Sequence, residues 1–71
     1  MKLNYHKDTD SLYIDLSSRP STDSREISEG IVLDYDANSA VTGIDIDNAS
    51  NKVDFDQIVL NKLPTEATLT Q

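Results

Sequence analysis

The residues most able to do chemistry in this chain are aspartates spaced two apart. Asp8/Asp10, Asp34/Asp36, Asp45/Asp47 and Asp54/Asp56 all follow the pattern Asp-x-Asp. Residues two apart on a strand point to the same face, so each such pair makes a local negative cluster. The chemistry on offer is capture of a hard divalent cation, because calcium and magnesium take oxygen ligands. Asp34, Asp36 and Asn38 reproduce the first three ligand positions of a calcium loop. That loop then needs Gly at its sixth position and Glu at its twelfth, where this chain has Ser39 and Asp45. Turn capping and a solvated sheet face account for the aspartates better than ligation does. No metal and no other cofactor is expected.

Other routes to catalysis are no stronger. His6 is the only histidine, and general acid–base work needs it beside a nucleophile or an orienting carboxylate. There is no Ser-rich elbow or Gly-rich phosphate loop, so His6 reads as an exposed turn residue. Tyr5, Tyr13, Tyr35 and Phe55 are the aromatic residues. A stacking platform for single-stranded nucleic acid would need them in a basic groove. The chain carries 13 acidic and 6 basic residues, for a net charge of −7. That field repels phosphate backbones, so direct nucleic-acid binding is not expected and the aromatics read as packing residues. A chain of 71 residues also has little volume for a walled pocket of the size ligands use. The expectation is a protein that is not an enzyme.

Alternation with period two sets the elements that carry these residues. Leu12, Ile14 and Leu16 alternate with Tyr13 and Asp15; Ile31, Leu33 and Tyr35 alternate with Val32 and Asp34. Thr42, Ile44 and Ile46 alternate with Gly43, Asp45 and Asp47. Leu3 and Tyr5 predict a short first strand, and a weaker strand is expected over 23–28. Ile58 and Leu60 predict either a last strand or a loop pressed on the sheet. His6 to Ser11, Glu29-Gly30 and Asp36 to Ser39 read as hairpin turns, with Asn38 as the residue able to take the left-handed conformation. Asp47 to Lys52 holds capping residues, predicting a short helix near residues 48–53. The fold class is therefore α+β and dominated by β. It is a small antiparallel β-meander sheet of four to five strands, since short connections favour hairpins over crossovers. Residues 1–64 form the one domain, and 65–71 are expected as a flexible C-terminal tail.

Size and charge bound the partners. A domain this small buries only about 60% of its unfolded surface and needs support from a disulfide, a metal, a subunit or a partner. The chain has no cysteine, which excludes disulfides and thiolate metal sites. No apolar run approaches the ~18 residues of a membrane helix, and Met1 to Tyr5 has no signal-peptide core. A soluble cytoplasmic protein with no membrane role is expected. Val32, Tyr13 and Val59 are apolar residues on nominally polar faces, which points to association. The partner-binding candidates are Tyr13, Asp15, Val32, Asp34, Asp45 and Asp47. The partner is expected to be a basic protein, or a second copy in a homodimer.

Two stretches carry a family pattern. Tyr5-His6-Lys7-Asp8-Thr9-Asp10-Ser11-Leu12-Tyr13-Ile14 resembles the opening Y-D-x-x-x-D-A-L-Y-I of a family of short prokaryotic proteins, domain of unknown function 2283. Leu33-Asp34-Tyr35-Asp36, followed by Val41-Thr42-Gly43-Ile44-Asp45-Ile46-Asp47-Asn48-Ala49-Ser50, resembles its second half, V-D-Y-D-x-x-G-x-V-V-G-I-E-I-L-x-A-S. The motif positions are Tyr5, Asp10, Leu12, Tyr13, Ile14, Asp34, Tyr35, Asp36, Gly43, Ile44, Ala49 and Ser50. The chain departs from the pattern at His6 (usually Asp), Ser11 (Ala), Asn38-Ser39 (a turn Gly) and Asp45 (Glu). These departures weaken a metal or catalytic acid at those points and leave the hairpins intact. The resemblance implies a compact β-meander with a small helical element and no established enzyme activity. It also implies a role as antitoxin, since members are sometimes encoded beside small toxin-like proteins. A charge of −7 suits neutralisation of a basic RNA-directed toxin.

Overall fold

The computed structural model describes residues 1–64, so the expected tail at 65–71 lies outside the described residues. Five strands form: β1 (Lys2–His6), β2 (Ser11–Asp15), β3 (Asp23–Ser28), β4 (Ile31–Tyr35) and β5 (Val41–Ile46). They make one antiparallel sheet in the order β1-β2-β5-β4-β3. The expected meander is therefore corrected. β1–β2 is a hairpin and β3-β4-β5 is a meander, but β5 rather than β3 lies beside β2.

Composition explains the order. β2, β5 and β4 carry the apolar alternation, with Leu12 and Ile14 facing Ile46 and Ile44 across the β2–β5 ladder, and Ile31 and Leu33 facing the same two isoleucines from β4. They take the centre, while β3 is exposed along its whole length and takes an edge. The connection Leu16–Thr22 must then pass three strand spacings, about 14 Å, which seven residues span with ease. It runs along the sheet end where β5 begins and β4 ends. The Leu16 amide donates to the Thr42 carbonyl at 2.9 Å and the Thr22 amide to the Tyr35 carbonyl at 2.8 Å. Ser21 and Thr42 share a hydroxyl bond at 2.8 Å, which satisfies Thr42 at 2% exposure.

The helical element is a single 3-10 turn, Ala49–Asn51, so a β class describes the fold better than α+β. Ile58 and Leu60 form no strand and stand exposed. The left-handed residue of the 36–39 turn is Ser39, with φ of 66°, rather than Asn38. Leu12 and Ala49 are the buried apolar residues among those described; Ile14, Leu33, Ile44 and Ile46 are only half-buried.

Candidate functional site: an acidic sheet face

Register builds the face row by row. Tyr13, Asp45 and Val32 are direct neighbours across β2, β5 and β4, and Asp15, Gly43 and Asp34 form the next row. Asp47 continues the parity of Asp45, and its carboxylate takes a long hydrogen bond of 3.4 Å from the Ser11 hydroxyl. All six partner-binding candidates, Tyr13, Asp15, Val32, Asp34, Asp45 and Asp47, thus share one face. The opposite face carries Leu12, Ile14, Ile31, Leu33, Ile44 and Ile46.

The carboxylates on the polar face live under different conditions. Tyr13 lies across Gly43 and donates its phenol proton to Asp34 Oδ2 at 2.6 Å, while Ser24 donates to Oδ1 at 2.6 Å. A Cβ at position 43 would overlap the Tyr13 hydroxyl and ring, so glycine is required there by contact. The bond to Asp34, then burial, pushes the Tyr13 phenol up to about 12. Asp45, in the adjacent row, accepts no hydrogen bond from the described residues. Burial first, then the charges of Asp47 and Asp34, raise its pKa, with His6 opposing.

Two further aspartates sit in turns. Asp10, left-handed at φ of 53°, accepts from the Ser50 amide at 3.1 Å, the Ser50 hydroxyl at 2.7 Å and the Tyr5 phenol at 2.7 Å. Its carbonyl accepts the Ala49 amide at 2.9 Å. Asp10 therefore caps the 3-10 turn from 40 residues away, and the N-cap residue Asn48 makes no side-chain cap. Ser50 and Tyr5 hold its carboxyl below the usual range. Asp36, 8% exposed, accepts the Ala40 amide at 3.0 Å and the Asn38 amide at 2.8 Å, and pairs with Arg19 at 2.7 Å. Those amides, led by Ala40, and then Arg19 lower its pKa.

A family profile, described as Protein of unknown function (DUF2283), matches residues 2–50. The chain belongs to this family. No curated protein matches it, and no solved structure does. The DUF2283 motif positions can now be read as structure. Tyr5, Asp10, Ala49 and Ser50 tie the first hairpin to the 3-10 turn. Tyr13, Asp34 and Gly43 lock β2, β5 and β4 together. Asp36 closes the turn to β5. Leu12, Ile14, Tyr35 and Ile44 have the parity of the apolar face.

The calcium-loop candidates do not converge. Asp34 is engaged by Tyr13 and Ser24, Asp36 by its own turn and Arg19, and the Asn38 amide serves Asp36. Among the described residues no group of three or more His, Cys, Asp or Glu side chains is placed to hold a metal ion. Among the described residues no helix is long and apolar enough to cross a membrane. Sequence reasoning missed Ser24 as a second donor to Asp34, Arg19 as the partner of Asp36, and Lys52, whose ammonium bonds the Asp47 carbonyl at 2.7 Å. The Ser24 contact needs the β3–β4 register, which no local signal encodes.

Proposed function

We propose that this domain is a non-catalytic protein-binding module whose acidic sheet face receives a basic protein. The observation that carries the reading is Asp45: a half-buried carboxylate beside Asp34 and Asp47, with no hydrogen bond or salt bridge from the described residues and only the charge of His6 to oppose the repulsion. Such a group costs the fold stability, and a complementary cation from a partner relieves that cost. Asp15 and Asp47 widen the negative field around it, and Val32 and Tyr13 supply apolar contact area within it. Asp10, Asp34 and Asp36, the carboxylates a catalytic reading would use, are spent on turn and inter-strand bonds.

Among basic partners we favour a small RNA-directed toxin, held in an antitoxin complex. Support comes from the charge of −7 and from the genomic setting that membership of DUF2283 implies. The test is affinity capture from the native host with the wild-type chain and with the double variant Asp45→Asn/Asp47→Asn. A basic protein held by the wild type at low salt, resistant to competition by polylysine and lost with the variant, is the expected result. Recovery of the same proteins by both chains, or of none by either, would overturn the reading.

A further inference from the structure

The apolar face and its nearest edge make a second surface, of different chemistry. Leu3, Tyr5, Leu12, Ile14, Phe55 and Ile58 line an open groove of about 400 Å³ beside β1. Phe55 stands over Tyr5 with ring centroids 4.8 Å apart. Among the described residues β1 and β3 are the edge strands of the sheet, and the two edges differ. β3 carries Asp23, Arg25 and Glu26 and is interrupted by a register shift between Glu26 and Ser28, devices that block strand addition. β1 runs in unbroken register with β2 over all five residues, is exposed throughout and contains no carboxylate, unlike every other strand. Lys2 opens it and Lys7 follows it. In a chain of net charge −7, this is the edge that two copies can bring together with least repulsion.

We infer that the chain forms a twofold dimer through antiparallel pairing of β1 with β1 of a second copy, centred on Asn4. Parity selects the register. Directly opposed residues on antiparallel strands share a face, and a slip of one residue would set the apolar face of one copy against the acidic face of the other. The register that keeps the faces continuous and overlaps all five residues places Asn4 opposite Asn4, Lys2 opposite His6 and Leu3 opposite Tyr5. The Leu3–Tyr5 pair occurs twice, joining the two grooves across the axis. Met1, Leu3, Tyr5, Phe55 and Ile58 are each 43–79% exposed. At a side-chain area of order 150–200 Å² they contribute about 450 Å² per copy. The paired backbones and the Lys2, Asn4 and His6 side chains bring this into the range of a small stable interface, about 600–800 Å² per partner. The ten-stranded sheet that results presents two acidic faces on one side.

Cysteine pairs test the register, since the chain has none of its own. Opposed Cα atoms on antiparallel strands lie about 4.5–5.5 Å apart, within disulfide reach. Under mild oxidant Asn4→Cys should give a covalent dimer in high yield. Lys2→Cys should not, because the two copies of residue 2 lie roughly 14 Å apart in this register; Lys2→Cys/His6→Cys should restore the crosslink. Sedimentation of the untagged chain should show a monomer–dimer equilibrium, and Leu3→Lys, folded by circular dichroism, should weaken it at least about tenfold. A monomer at every concentration, species larger than a dimer, or equal crosslinking of Asn4→Cys and Lys2→Cys would each overturn the inference. So would a dimer that Asn4→Cys fails to trap.

Discussion

Asp10 and Asp45 are both aspartates of the Asp-x-Asp pairs, yet the fold treats them in opposite ways. Asp10 gathers one amide and two hydroxyl donors and binds the first hairpin to the 3-10 turn. Asp45 gathers none and sits among other carboxylates. The first is held ionised by its surroundings, and the second is disfavoured as an anion. The pattern Asp-x-Asp therefore has no single meaning in this molecule. Where a carboxylate meets donors it is scaffold, and where burial and like charge outweigh what favours it, it is surface kept for something outside the fold.

The bonded end of this comparison breaks most severely at Gly43. Gly43→Val drives a side chain into the space of the Tyr13 ring, parting the phenol from Asp34. Overpacking of this kind costs about 1–3 kcal/mol, and a stranded polar group adds about 1–3 more. The urea midpoint should fall accordingly. The Tyr13 phenol should also lose its elevation to about 12, visible as earlier phenolate absorbance in an alkaline titration. In the wild type the unfolded chain ionises first, near 10.0. The contribution of Tyr13 is thus complete below that pH and lost as pH rises through about 12. The variant should show a shallower alkaline decline.

Asp10→Asn is the next test. The amide oxygen can keep the Ser50 amide and the Tyr5 phenol that share Oδ1, but an NH2 in place of Oδ2 cannot accept the Ser50 hydroxyl, and the loss of the charge weakens the remaining bonds, so the melting temperature should fall. The pH profile is the sharper readout. With its pKa below 3.8 in the folded state, Asp10 stabilises fully above that value, and the contribution disappears as pH falls through the folded pKa. The variant should lose less stability between neutral and strongly acid pH than the wild type does. An unchanged acid limb would place the origin of acid unfolding at Asp36, the other aspartate with a depressed pKa.

The same comparison marks what a reader of the sequence can see. Period-two alternation revealed β1, β2, β4 and β5, while β3 was expected only as a weaker strand between two turns; the alternation also put Tyr13, Asp15, Val32, Asp34, Asp45 and Asp47 on one face because antiparallel register preserves parity. Strand order was not legible. Leu12 and Ile14 need apolar neighbours, but nothing local says whether β3 or β5 supplies them; the polarity of Asp23–Ser28 is the only hint that it belongs at an edge. The helix cap was misplaced for a similar reason. Asn48 and Ser50 look like caps in their own window, while the residue that does the work, Asp10, is 40 positions away. The left-handed turn residue fell on Ser39, against the preference of Asn for that conformation. Asp36 holds that turn by accepting both the Asn38 and Ala40 amides, and the turn geometry outweighs the local propensity.

Asp45→Asn probes the other end of the comparison, with the smallest effect on the fold and the opposite sign. The folded-state pKa of Asp45 is raised above 3.8, so the unfolded chain ionises first as pH rises. Its contribution is favourable below that value and is lost as pH climbs through the folded pKa, the reverse of Asp10. Removing the charge should stabilise the domain at neutral pH by under about 1 kcal/mol, the scale of a relieved surface repulsion. The gain should shrink at high salt, since Asp47 and Asp34 supply part of it. A stabilising substitution that also weakens capture of a basic partner separates binding from folding at one residue. A destabilising Asp45→Asn would mean that this carboxylate has a structural donor after all, and would move it into the class of Asp10.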